Sequence, residues 1–124
     1  MAMLSHVGRV RARNEDFVFC DEALGIAVLA DGMGGHAGGN VAARLAVDAW
    51  VGRIRKCLVE PLGERDLRVA VADANRVVFA AACADPALRR MGTTLVAACF
   101  RRDDTLLTCN VGDSRLYRLR GDVL

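Results

Sequence analysis

The sequence predicts an α+β domain in which an antiparallel sheet packs against a pair of helices. Short apolar runs bounded by glycine and polar turns, such as Gly25-Ile26-Ala27-Val28-Leu29-Ala30, read as strands. Two long stretches, beginning near Asn40 and near Asp66, repeat apolar residues at helical spacing. From Met91 the period returns to that of strands, with turn residues close enough for hairpins. Strands, then helices, then strands is the order of an α+β fold, because strict βαβ alternation is lacking.

Taken in order, Ser5 to Val10 is a weak strand, followed by the polar stretch 11–16. Phe17 to Cys20 is a short apolar strand, and Asp21 to Leu24 turns into strand 25–30. As antiparallel neighbours, these bring residues 11–16 and residue 31 to one end of a sheet. The first helix spans Asn40 to Leu58, with Val41, Leu45, Ala49, Trp50, Ile54 and Leu58 on one stripe and Arg44, Asp48, Arg53 and Lys56 mostly opposite. Pro61-Leu62-Gly63 breaks it. The second helix runs from Asp66 as N-cap to Ala84, and Asp85-Pro86 ends it. Thr93 to Phe100 and Thr105 to Val111 are strands joined by Arg101 to Asp104, and Gly112-Asp113 is a tight turn. Leu116 to Arg120 is a third strand, Gly121-Asp122 a hairpin turn, and Val123-Leu124 the start of another strand. A sheet with helices on one side needs a further layer for its other face. The expectation is therefore the N-terminal part of a larger α+β domain.

Composition narrows the function. The 124 residues include 17 basic and 15 acidic side chains, a net charge of +2. That balance gives no bulk attraction to nucleic acid or membranes, and 5% aromatics are too few for a base-stacking surface. The five cysteines (Cys20, Cys57, Cys83, Cys99 and Cys109) form no C-x-x-C pair and read as buried thiols in a reducing compartment. No segment is long enough to span a bilayer, and the first ten residues lack an apolar leader core. The expected location is cytoplasmic.

The chemistry gathers around Ala30-Asp31-Gly32-Met33-Gly34-Gly35-His36-Ala37-Gly38-Gly39. Here an aspartate at a strand end precedes five glycines in eight residues. Glycine permits close backbone approach, and such a carboxylate suits Mg²⁺ or Mn²⁺. Gly32-x-Gly34-x-x-Ala37 also fits a dinucleotide fingerprint. Against that, Asp31 would set a bare carboxylate beside a pyrophosphate, and a second helix follows where a βαβ unit needs a strand. A solvated loop is the bland reading, and the glycine density argues against it.

Glu15/Asp16, Asp31 and Asp113 are three acidic positions at strand ends or turns. Gathered at one sheet end they would repel unless a cation joined them, as in two-metal sites that direct a water at phosphorus. Arg11 and Arg13 flank the first cluster, and a guanidinium binds phosphate in bidentate fashion. Any single aspartate is better read as a turn former; the combination is what points to a site. His36 is either a general acid for a leaving alkoxide or a loop histidine that fixes the glycine turn. Thr93 and Thr94 either order a site through their hydroxyls or simply suit a strand start. Ser114 lacks a nucleophile-elbow context.

Four segments together resemble the bacterial protein phosphatase 2C family of metal-dependent serine/threonine phosphatases. They are Val10-Arg11-Ala12-Arg13-Asn14-Glu15-Asp16, residues 30–39, Met91-Gly92-Thr93-Thr94-Leu95 and Asn110-Val111-Gly112-Asp113-Ser114-Arg115-Leu116-Tyr117. The resemblance implies a four-layer αββα sandwich with a binuclear Mg²⁺ or Mn²⁺ centre between two sheets. It implies Asp31 as bridging carboxylate, Gly32 as backbone-carbonyl ligand, Glu15 and Asp16 as holders of metal-bound water, and Asp113 as ligand of a third metal. Arg11 would bind the substrate phosphate, and His36 would be the general acid. The implied reaction is hydrolysis of phosphoserine or phosphothreonine in proteins by a metal-activated water, opposing a cognate serine/threonine kinase. The family pattern continues with a Ser-Asp-Gly and an Asp-Asn motif, and this sequence holds neither. Residues 1–124 are thus expected to be the N-terminal part of one domain. Self-association through the exposed sheet is expected too. The alternative is a non-catalytic phosphatase-like fragment that binds a phosphoprotein or a kinase.

Overall fold

Alternation along the first strands decides which sheet face is buried. In the computed structural model, which describes residues 1–34, 38–57 and 62–124, β1 (Asp16–Asp21) pairs antiparallel with β2 (Ile26–Met33). Phe17 and Phe19 of β1 and Ile26, Val28 and Ala30 of β2 face the core. Helices α1 (Gly38–Cys57) and α2 (Glu64–Ala84) follow, then a single 3₁₀ turn at Pro86–Leu88. The chain returns as β3 (Gly92–Thr93), β4 (Leu95–Phe100) and β5 (Leu106–Val111). The sheet order is β1-β2-β4-β5, with β3 paired to the tip of β2.

Both helices lie on one side of the sheet. Trp50, Val47 and Ile54 of α1 are fully buried with Ile26 and Cys99. The guanidinium groups of Arg44 and Arg55 lie over the rings of Phe17 and Phe19, at 5.3 and 5.4 Å from their centroids, so α1 also covers β1. Small residues Ala46, Ala70 and Ala74 are buried in the core where α1 and α2 meet the sheet. The other sheet face carries Val18, Cys20, Ala27, Leu29, Val96 and Ala98. A groove there is flanked by residues 2–4 and 115–117. The result is a two-layer arrangement of mixed helix and antiparallel sheet.

Several expected boundaries change. Residues 5–10 form no strand and end in a turn. Strand β2 runs on to Met33, because Gly32 and Met33 gain partners in Thr93 and Gly92. Asp31 therefore lies inside the strand. Helix α1 begins at Gly38; Leu58, its expected last residue, lies outside the described residues. The N-cap of α2 is Gly63, and Asp66 sits at the third helical position, where its Oδ2 accepts the Gly63 N–H at 2.9 Å. The expected strand Leu116 to Arg120 does not form. Only an Arg120–Val123 bridge closes the Gly121-Asp122 turn, because the chain leaves β5 at Gly112 and finds no ladder partner among the described residues.

Candidate metal centre

Strand register makes the acidic pair. Asp16 and Asp31 stand directly opposite each other across β1 and β2, so both carboxyls share one face. Like charges there are destabilising. The Asp16 carboxyl is accordingly pushed above its ordinary value. Burial is the largest cause and the Asp31 charge comes next, while Arg11 opposes them.

The glycines serve close packing. A Cβ on Gly32 would fall 2.1 Å from the Gly39 carbonyl oxygen and 2.7 Å from that of Glu15. A Cβ on Gly39 would fall 2.8 Å from the Glu15 carboxylate carbon. The start of α1 thus sits directly on the end of β2, and the Gly32 N–H donates to the Glu15 carbonyl at 3.1 Å. The Glu15 carboxylate lies against this first turn, 3.9 Å from the exposed Arg11 guanidinium.

Asp31 is held by its main chain. Its carbonyl accepts the Thr94 N–H at 2.9 Å and lies 3.0 Å from the Thr93 hydroxyl. Its own N–H donates to the Thr94 Oγ1 at 3.0 Å. Asp113, which is exposed, sits in the turn after β5, where Gly112 takes a φ of 99°.

Of the expected site residues, the structure brings Asp16 and Asp31 into contact and sets Glu15, Gly32 and Arg11 beside them. It does not bring Asp113 into a common cluster: among the described residues no group of three or more His, Cys, Asp or Glu side chains could hold a metal ion. His36 lies outside the described residues. Two contributors lie within the quoted segments but have no role of their own there. Asn14 accepts the Asp16 N–H on its Oδ1 at 3.1 Å, an Asx turn that an asparagine two residues ahead signals. Asn110 donates its Nδ2 to the Ser114 carbonyl at 2.8 Å.

The donor set suits a hard divalent cation. Paired carboxylates that repel unless a proton or a cation lies between them are oxygen ligands for Mg²⁺ or Mn²⁺. Such ions bind proteins through one or two carboxylates and fill their other positions with water and substrate oxygens.

A mixed helix and antiparallel-sheet domain with a carboxylate pair at one sheet end is the class this geometry defines. The protein phosphatase 2C profile matches residues 5–123. The serine/threonine phosphatase stp of Listeria innocua is 39% identical over 124 residues, covering 94% of this chain and 48% of its own length. The serine/threonine protein phosphatase PstP of Mycobacterium tuberculosis is 41% identical over 121 residues, covering 96% of this chain and 22% of its own length. The solved catalytic domain of a PstP in complex with two manganese ions superposes with a TM-score of 0.81 at 39% identity, covering 96% of this chain and 50% of that one. The chain belongs to the protein phosphatase 2C family. It spans about half the length of the stp relative it matches.

Proposed function

We propose that the chain carries part of the catalytic centre of a metal-dependent serine/threonine protein phosphatase, and that residues 1–124 form the N-terminal part of one such domain. The Asp16–Asp31 pair carries the reading, since two carboxylates facing each other across adjacent strands repel unless a cation joins them, and a cation held there can serve phosphate chemistry. When bound, a Mg²⁺ or Mn²⁺ pair supplies positive charge that lowers the pKa of a water and offsets phosphate charge. The manganese-bound relative supports that choice.

In this reading Asp31 and Asp16 give carboxylate oxygens and Gly32 its carbonyl. Glu15, packed against α1, orients a water near Arg11. Arg11, exposed beside them, takes a phosphoserine or phosphothreonine phosphate in bidentate fashion. Asp113 serves a further, weaker ion from its turn, and His36 protonates the leaving alkoxide. The partners are phosphoproteins and the kinase that produces them, in the cytoplasm. Among the described residues no helix is long and apolar enough to cross a membrane.

The test is Mn²⁺-dependent hydrolysis of an aryl phosphate and a phosphothreonine peptide by the purified chain, with Asp31→Ala as control. Turnover that requires Mn²⁺ and disappears in the variant supports the reading. A second reading, a non-catalytic chain that binds a phosphoprotein or kinase, is favoured by the small acidic set: only two carboxyls meet among the described residues. It predicts phosphopeptide binding that persists in EDTA, with no turnover.

A further inference from the structure

Thr94 interrupts a ladder in a particular way. The β2–β3 and β2–β4 pairings share one register, which places Thr94 directly opposite Asp31. An ordinary hydrogen-bonded pair exchanges two main-chain bonds. Only one is present here, from the Thr94 N–H to the Asp31 carbonyl at 2.9 Å. The Asp31 N–H goes instead to the Thr94 side-chain hydroxyl at 3.0 Å. That same oxygen lies 2.7 Å from the Ser114 hydroxyl, and either can be the donor.

Ser114 belongs to the turn that carries Asp113. Its carbonyl is fixed by Asn110, and Gly112 leaves no room for a side chain, since a Cβ there would fall 2.8 Å from the Thr94 Cγ2. Among the described residues, Thr94 is thus the one side chain bonded both to the main chain of Asp31 and to the turn of Asp113. The strand break between β3 and β4 falls at this residue.

We infer that Thr94 is a positioning residue: its hydroxyl replaces a ladder bond so as to tie Asp31 on β2 to the Gly112–Ser114 turn, holding two acidic positions from distant strands in one frame. The metal-phosphatase reading gives this frame its purpose, but the frame itself is observable without metal. Thr94→Val keeps the shape and removes the oxygen. Thr94→Ser keeps the oxygen and removes the methyl.

The test uses the full chain in two measurements. Amide hydrogen exchange by NMR in EDTA reads the Asp31 N–H. Mn²⁺ titration followed by the EPR signal of the free ion reads affinity. Thr94→Val should lose protection at Asp31 while the rest of the sheet stays protected. It should also weaken Mn²⁺ binding about 10–100-fold, the usual cost of removing a group that orients a ligand. Thr94→Ser should retain both, and Ser114→Ala should keep Asp31 protected while weakening Mn²⁺. Unchanged Asp31 protection in Thr94→Val, or an equal loss in Thr94→Ser, overturns the inference. Should Thr94→Val fail to fold, Ser114→Ala decides, and unchanged Mn²⁺ binding in it overturns the coupling. A wild-type chain that binds no Mn²⁺ defeats the functional reading, and the Asp31 amide then decides the inference alone.

Discussion

The two glycines that join β2 to α1 set the tolerance of the centre. On Gly32 an added methyl meets the main chain of Gly39 and Glu15, and on Gly39 it meets the Glu15 carboxyl and the Gly32 carbonyl carbon at 2.9 Å. Gly39→Ala should cost at least about 1–3 kcal/mol, typical of overpacking, because the Glu15 side chain can shift but the Gly32 main chain must give as well. Gly32→Ala should cost more, since its main-chain neighbours are nearer, the Gly39 carbonyl oxygen at 2.1 Å. Urea denaturation of both variants checks the order. Asp16 carries a pH signature. Its carboxyl titrates above the ordinary 3.8 through burial, then through the charge of Asp31. The folded chain therefore holds that proton more tightly than the unfolded chain. Its stabilising contribution is full below 3.8 and is lost as pH rises through the raised value. In EDTA at neutral pH, Asp16→Asn should melt higher than wild type, and the gap should close as pH falls below 3.8. Thermal melts at stepped pH measure this, and a gap that does not vary with pH counts against the carboxyl pair. The thiols differ as sharply. Burial first, then Cys109, pushes Cys99 up to about 12, whereas Cys83 is exposed on α2. A maleimide at pH 8 should label Cys83 and spare Cys99 in the folded chain, as peptide mapping would show.

Element by element, the helices carry most of the buried apolar surface. Trp50→Ala should remove about 3–5 kcal/mol, the cost of a large cavity beneath β2 and β4. Asp66→Ala should remove about 1 kcal/mol by freeing the Gly63 N–H. Chemical denaturation resolves both. These elements were legible in sequence because their signals are local. The helical period of α1, the Asp85-Pro86 stop and the apolar runs of β1 and β2 all lie within short windows. So did the meeting of Asp16 with Asp31, since a short turn fixes the register of the first hairpin. Of the described residues in the expected α1 stripe, though, only Trp50 and Ile54 are buried, beside Ala42, Ala43, Ala46, Val47 and Val51, while Val41, Leu45 and Ala49 are half-buried. What was not legible depends on distant partners. Strand β2 outlasts its apolar run because Gly92 and Thr93 arrive to pair with it. Residues 116–120 read as a strand by composition, yet gain no ladder. Asp66 suits an N-cap by type, but Gly63, with an extended φ of −122°, takes that place. The bonds of Thr94 span 63 residues to Asp31 and 20 to Ser114, beyond any local pattern.

Across the whole molecule the sheet is asymmetric, with helices over one face and apolar side chains on the other. Leu29, at the centre of that open face, remains 39% exposed. An apolar patch of this kind favours association. Sedimentation velocity across a wide concentration range should show self-association of the chain, and Leu29→Lys should shift it toward monomer. Concentration-independent monomer in the wild type would count against that expectation. The connectivity also orders events in time. The β1–β2 hairpin and the helix pair close through short loops, but the bond between Asp31 and Thr94 must close a loop of 63 residues with both helices in between. Contacts of such sequence separation form late and slowly. The acidic pair should therefore form early in refolding, and the threonine that frames it should dock only when β4 completes the sheet. Cation capture in a stopped-flow refolding experiment should lag behind the helical signal, making ion uptake a clock for the last step of assembly.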